Sequence, residues 1–128
     1  MPDRRRLLRL EQAILETVGP IVAHGLADPR LSMVTVTRVK LSPDLSVARV
    51  NWSCLGSEAD RTKAARALGH ARGHLQKAVA KSLRTRTTPH LIFHFDSTVE
   101  EADKVDRLLQ QIAEERAQRP PPPEPPAE

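Results

Sequence analysis

The chain has 128 residues, a formal net charge of +4 and a single cysteine, Cys54, so it has room for one domain with a modest core and excludes a disulfide framework or a thiolate zinc site within one chain. No apolar run approaches the roughly 20 residues needed to span a bilayer, and Arg4-Arg5-Arg6-Leu7-Leu8-Arg9 returns to charge too soon for a signal peptide. A cytoplasmic protein with no membrane role is expected.

In chain order, Leu7, Leu10, Ile14, Val18, Ile21 and Val22 recur at helical spacing. Gly19-Pro20 interrupts them and predicts a kink or a short second helix towards Leu26, since proline removes one helical hydrogen bond. Asp28-Pro29 stops the helix. Met33 to Lys40 and Ser46 to Leu55 alternate and are rich in β-branched residues, with Ala48, Val50, Trp52 and Cys54 on one face. With Leu41-Ser42-Pro43-Asp44-Leu45 as the turn, they predict an antiparallel hairpin. Ser57 and Asp60 form a capping box, and Ala64, Leu68, Ala71, Leu75, Ala78 and Val79 give the next helix an apolar stripe. Gly73 costs that helix about 1 kcal/mol relative to alanine and predicts a bend dividing it in two. Thr88-Pro89 breaks it, and Leu91 to Phe95 forms a third strand. Ser97 or Thr98 caps a last helix through Glu115, with Val105, Leu108, Leu109 and Ile112 inward. The long crossover makes the third strand parallel to an earlier one. The fold expected is therefore α+β, a three-stranded mixed sheet covered on one face by helices. Residues 1–115 form the domain, and the proline-rich stretch 116–128 is a disordered tail.

Charge is distributed unevenly along this plan. From Arg61 to Phe95 there are eight Lys and Arg and no Asp or Glu, whereas Asp96 to Glu115 holds seven acids and two bases. On the predicted helix, Lys63, Arg66, His70, His74, Lys77, Lys81 and Arg84 project to one side. An ordinary solvated face mixes both signs to gain i,i+4 pairs, which this one cannot do. Nucleic acid phosphate is the counter-charge such a face fits. The aromatic residues are Trp52, Phe93 and Phe95 alone, each in a predicted strand, which argues against base stacking as the main mode of binding.

Several strings carry a family resemblance: Asp28-Pro29-Arg30-Leu31 leading into Val34-Thr35-Val36-Thr37-Arg38-Val39, then Leu41-Ser42-Pro43-Asp44-Leu45, then Ala71-Arg72-Gly73, and finally Arg86 with Pro89, Leu91, Phe93 and Asp96. Together these resemble the bacterial ribosome-binding factor A family, over about Arg4 to Ile112. The resemblance implies a type II KH-like fold in the order α-β-β-α-kink-α-β-α, with Ala71 and Gly73 as the helix-kink element. It also implies a non-enzymatic assembly factor that binds the 30S subunit and its 16S rRNA and assists late maturation, 5′-end processing included, beside assembly GTPases.

The candidate RNA-binding residues are accordingly Lys63, Arg66, His70, Arg72, Gly73, His74, Lys77, Lys81, Arg84 and Arg86. Arg4, Arg5, Arg6 and Arg30 are secondary contacts, as at most are Arg38 and Arg49 on the hairpin. His70 and His74 share a helix face, but no Glu follows His70 and no third ligand is evident, so no metal site is expected. No catalytic triad, phosphate loop or glycine-rich nucleotide fingerprint is present, and Cys54 reads as a small buried apolar residue. No cofactor is expected, and the protein is expected to be a monomer. The alternative reading is a basic protein-interaction module docking on an acidic partner.

Overall fold

Asp3 accepts the Arg6 backbone N–H at 2.7 Å and so caps helix α1, Arg4–Pro20. The computed structural model describes residues 3–118. Proline 20 does not end the helical path. Lacking an N–H, it stays in the helical region, and the chain passes directly into a π-helical turn, Ile21–Gly25, whose wider ring absorbs the missing hydrogen bond. Asp28 then caps a 3-10 turn, Pro29–Leu31, rather than stopping a helix.

Strands β1, Val34–Leu41, and β2, Val47–Cys54, pair antiparallel. Their turn places Leu45 at φ 64°, a left-handed conformation unfavourable for leucine. Asp44 compensates by accepting from the Ser46 N–H and from both the Ser42 and Ser46 hydroxyls. The register shifts between Val36 and Arg38, so that Thr37 and Arg38 together face Asn51. This β-bulge departs from the regular hairpin expected and has a large consequence. Before it Val34 and Val36 face inward, after it Val39 and Leu41 do, and Arg38 and Lys40 are thereby turned outward.

Helix α2, Glu58–Ser82, starts with the expected capping box, in which the Ser57 side chain and the Asp60 backbone N–H, and the Asp60 carboxylate and the Ser57 N–H, bond reciprocally. It buries Ala64, Ala67, Leu68, Leu75 and Val79 against the side of the sheet carrying Ala48, Val50, Trp52, Cys54 and Leu91, where Ile14, Val18 and Val22 of the first helical segment complete the core. Strand β3, His90–Phe95, runs parallel to β2, giving the order β1-β2-β3. Gln76 fastens α2 to this edge strand: its Oε1 accepts the Leu91 N–H at 2.7 Å and its Nε2 donates to the Pro89 carbonyl at 3.0 Å. Glu11 does the same at the other edge by accepting the Leu41 N–H at 2.7 Å. Two edge backbones that would otherwise seek partners are satisfied from the helix layer.

Two expectations need correction. The stretch around Gly73 is not divided. Hydrogen-bonded helix runs unbroken from Glu58 to Ser82, and no glycine takes positive φ, so Ala71 and Gly73 lie within one helix and do not separate two. A glycine weakens a helix without obliging it to break, and the buried leucine and alanine face on both sides holds it together. The second concerns the last helix. The chain divides into two compact units, Met1–Asp96 and Ser97–Glu128, and helix α3, Thr98–Gln118, lies in the second. Val105, Leu108, Leu109 and Ile112 do share a helical face, but they are 40–59% exposed. Periodicity specifies a face and not its partner. The first three residues of the expected tail, 116–118, belong to α3, and the rest of it lies outside the described residues.

The Gln76→Ala variant leaves the Leu91 N–H and Pro89 carbonyl without their partner and should cost about 1–3 kcal/mol, measured as a lowered urea midpoint with unchanged slope. Acid stability follows from three aspartates, Asp28, Asp44 and Asp60. Hydrogen bonds from Arg30 to Asp28, from Ser46 to Asp44 and from Ser57 to Asp60 hold these carboxyls below their usual value of 3.8. A carboxyl depressed in the folded state stabilises above its unfolded value, and that contribution is lost as pH falls through the folded one. Stability should therefore decline below about pH 4, and Asp60→Asn should shallow that decline in acid titrations of the melting temperature.

Candidate nucleic acid interface

The exposed side of α2 presents Lys63, Arg66, His70, His74, Lys77 and Lys81. They recur at spacings of three and four because the buried alanine and leucine stripe fixes which way the helix faces, and they extend over about 27 Å at 1.5 Å per residue. Lys63, Arg66, Lys77 and Lys81 form no ion pair among the described residues. Next to the row, Gly69 and Gly73 lie on the exposed side one turn apart, and a Cβ built on either would meet nothing within 4 Å. Neither glycine is required by packing inside the molecule, and together they leave a strip of bare backbone beside the cations. Gly69 is not among the residues expected from the sequence, although its i,i+4 relation to Gly73 is visible there.

Three of the expected residues stand apart from this row. Arg72 turns towards the sheet, with its Cζ 5.6 Å from the centre of the Phe93 ring, and its Nε is buried without a hydrogen-bond partner among the described residues. It packs as a cation over an aromatic face, as Arg61 does 4.8 Å from Phe95. Arg84 and Arg86 are exposed but follow the end of α2 at Ser82. They belong to the loop before β3, so Arg84 does not continue the helical line. The reason is Leu83, which leaves the helical region and buries itself in the core.

Arg30 is brought close to the row, with its guanidinium 3.5 Å from His70 Nδ1, but its charge is offset by Asp28 through bonds of 3.0 and 2.7 Å. Arg4, Arg5 and Arg6 are exposed in the first turn of α1, where the helix dipole disfavours cations. The aromatics are committed internally: Trp52 is buried and meets Phe95 edge to face at 5.1 Å, while Phe93 and Phe95 lie under Arg72 and Arg61. Phosphate attraction, rather than stacking on aromatic platforms, is what this surface offers. Cys54 is buried, as expected. Among the described residues no cluster of His, Cys, Asp and Glu could hold a metal ion, and no helix is long and apolar enough to cross a membrane.

Residues 6–109 match the family model of ribosome-binding factor A. The chain is 41% identical to ribosome-binding factor A of Thermomicrobium roseum, over 91% of this chain and 89% of that one. The crystal structure of ribosome-binding factor A from Thermus thermophilus superimposes with a TM-score of 0.57 at 33% identity, covering 73% of this chain and 94% of the other. A homology model of the Thermus thermophilus factor, as fitted into the cryo-electron microscopy map of a complex of that factor with the 30S subunit, matches with a TM-score of 0.54 at 32% identity, over 74% of this chain and 96% of that one. An α+β, KH-like architecture, a cationic helix face and a match over most of the chain agree: this chain belongs to the ribosome-binding factor A family.

Proposed function

We propose that this protein is a non-enzymatic assembly factor of the small ribosomal subunit, binding 16S rRNA in immature 30S particles through the exposed face of α2. The observation that carries the reading is the row Lys63, Arg66, Lys77 and Lys81, exposed and without ion-pair partners among the described residues. Cations placed this way gain little from one another and much from a polyanion, since each phosphate they neutralise releases a counterion. The bare backbone at Gly69 and Gly73 lets an RNA strand approach the helix more closely than side chains would allow. Contacts of this kind position RNA without reading its sequence. The specificity then resides in the shape of the maturing rRNA, and the bound protein holds that shape through late maturation and processing of the 5′ end, until assembly GTPases promote its departure. The protein acts as a monomer in the cytoplasm.

Replacing Lys63, Lys77 and Lys81 together by Glu should make the dependence of log K on log salt shallower by about 2 to 3 units in co-sedimentation with immature 30S subunits. The melting temperature should stay nearly constant, because exposed substitutions usually change stability by no more than about 0.5 kcal/mol each. A protein-interaction module would instead remain bound after the RNA is digested with ribonuclease. Gly69→Ala with Gly73→Ala separates stability from function: the pair should raise stability by about 1–2 kcal/mol, since alanine is the better helix former, while weakening binding to the subunit. Unchanged binding would confine these glycines to a neutral role.

A further inference from the structure

The outer side of the sheet carries a second cationic surface that the α2 reading does not use. Because the bulge at Thr37 turns Arg38 and Lys40 outward, Lys40 stands directly across from Arg49, and Arg38 faces Asn51 one step along. His94 flanks Asn51 from β3, and Ile92 lies beside Arg49. Arg38, Lys40, Arg49, Ile92 and His94 are all exposed, and the three permanent cations form no ion pair among the described residues. Asp96, the residue after β3, accepts from the Thr37 hydroxyl at 3.1 Å. Like charges directly opposite each other on neighbouring strands are unfavourable, so Lys40 against Arg49, with Arg38 on the diagonal, is an arrangement the fold alone has no reason to keep. Between Arg38 and His94 sits Asn51, only 8% exposed, whose Oδ1 has no hydrogen-bond partner among the described residues. An unsatisfied buried acceptor calls for an explanation.

We propose that this sheet face is a second RNA-binding surface, taking phosphates at Arg38, Lys40 and Arg49 and a ribose at Asn51. RNA supplies both things the site lacks. Phosphates offset the facing cations, and a 2′-hydroxyl is a donor that can reach an amide oxygen once the flanking side chains swing onto phosphate. An acidic peptide side chain offers acceptors only. The exposed Ile92 gives an apolar patch for a sugar or base. This inference rests on the α2 reading and extends it. Since α2 covers the inner side of the sheet, the two surfaces lie on opposite sides of it, and the domain would hold two separate RNA segments with the sheet between them.

The test uses the full chain in three forms: unaltered, with Arg38→Gln, Lys40→Gln and Arg49→Gln, and with Lys63→Gln, Lys77→Gln and Lys81→Gln. Each is titrated against immature 30S subunits and against protein-free 16S rRNA over a range of salt. The expected result is that each triple variant lowers the salt slope by about 2 to 3 units on both targets, with additive losses when the two are combined. If only the α2 variant does so, the sheet-face proposal is overturned and the α2 reading stands. If neither does, both fail. Loss on subunits but not on free rRNA overturns the RNA assignment in favour of an acidic protein partner. Ultraviolet cross-linking of the unaltered chain provides a check independent of whether the variants fold: peptides spanning 34–54 should cross-link to RNA alongside those spanning 62–81, and their absence would overturn the proposal.

Discussion

Like charges gathered on one helix face repel, and what holds them together in this protein is the apolar stripe on the opposite side of the same helix. Ala64, Ala67, Leu68, Leu75 and Val79 are buried against the sheet. Burial of leucine or valine side chains is worth about 1.5–3 kcal/mol each, far more than neighbouring exposed cations cost one another, at a few tenths of a kcal/mol per pair. The core therefore decides the orientation of α2, and the charges must accept the positions it gives them. Two glycines with open space beside them are carried on the same terms. The Gln76 side-chain amide fixes α2 to the start of β3 by hydrogen bonds with the Leu91 N–H and the Pro89 carbonyl, so the cationic row stands on a helix tied to the sheet.

Three internal pairings refine the picture of where charge is available. Arg30 is neutralised by Asp28, and Arg61 and Arg72 spread their guanidinium groups over Phe95 and Phe93. Arg30 is engaged within its own turn, and Arg61 and Arg72 join α2 to β3. The lysines and Arg66 on the outer side of α2 have no such commitment among the described residues. A count of basic residues would treat all of them alike, whereas burial and pairing separate the cations that serve the fold from those that face outward.

The sequence and the structure agree where a signal is local and periodic. The capping box at Ser57, the hairpin, the inward face of β2 and the parallel return of β3 are all legible, because each follows from spacing or chain reach. The bulge at Thr37 is less obvious, yet the apolar residues do change phase, from Val34 and Val36 to Val39 and Leu41. That change of parity over Thr37-Arg38 is what a bulge looks like in one dimension. Sequence reasoning fails where a local cost is taken for a local break. Gly73 weakens α2 but does not divide it, because tertiary packing outweighs about 1 kcal/mol of propensity; at Pro20, by contrast, the expected change does occur, from α1 to the short π-helical segment Ile21–Gly25. For the candidate site, periodicity places Lys63, Arg66, His70, His74, Lys77 and Lys81 correctly on the exposed side of α2. It cannot show that Arg72 finds Phe93, a contact between distant parts of the chain whose ring and charge are set by sheet register.

The most direct measurement of the central claim is the salt dependence of the unaltered protein's affinity for immature 30S subunits. If cations on α2 are balanced by RNA phosphate, log K should fall with log salt at a slope steeper than about −3, as roughly four or more released counterions require. A slope near zero, with binding retained at high salt, would show that the interaction is not electrostatic and that the exposed cations of α2 serve only to keep the protein in solution.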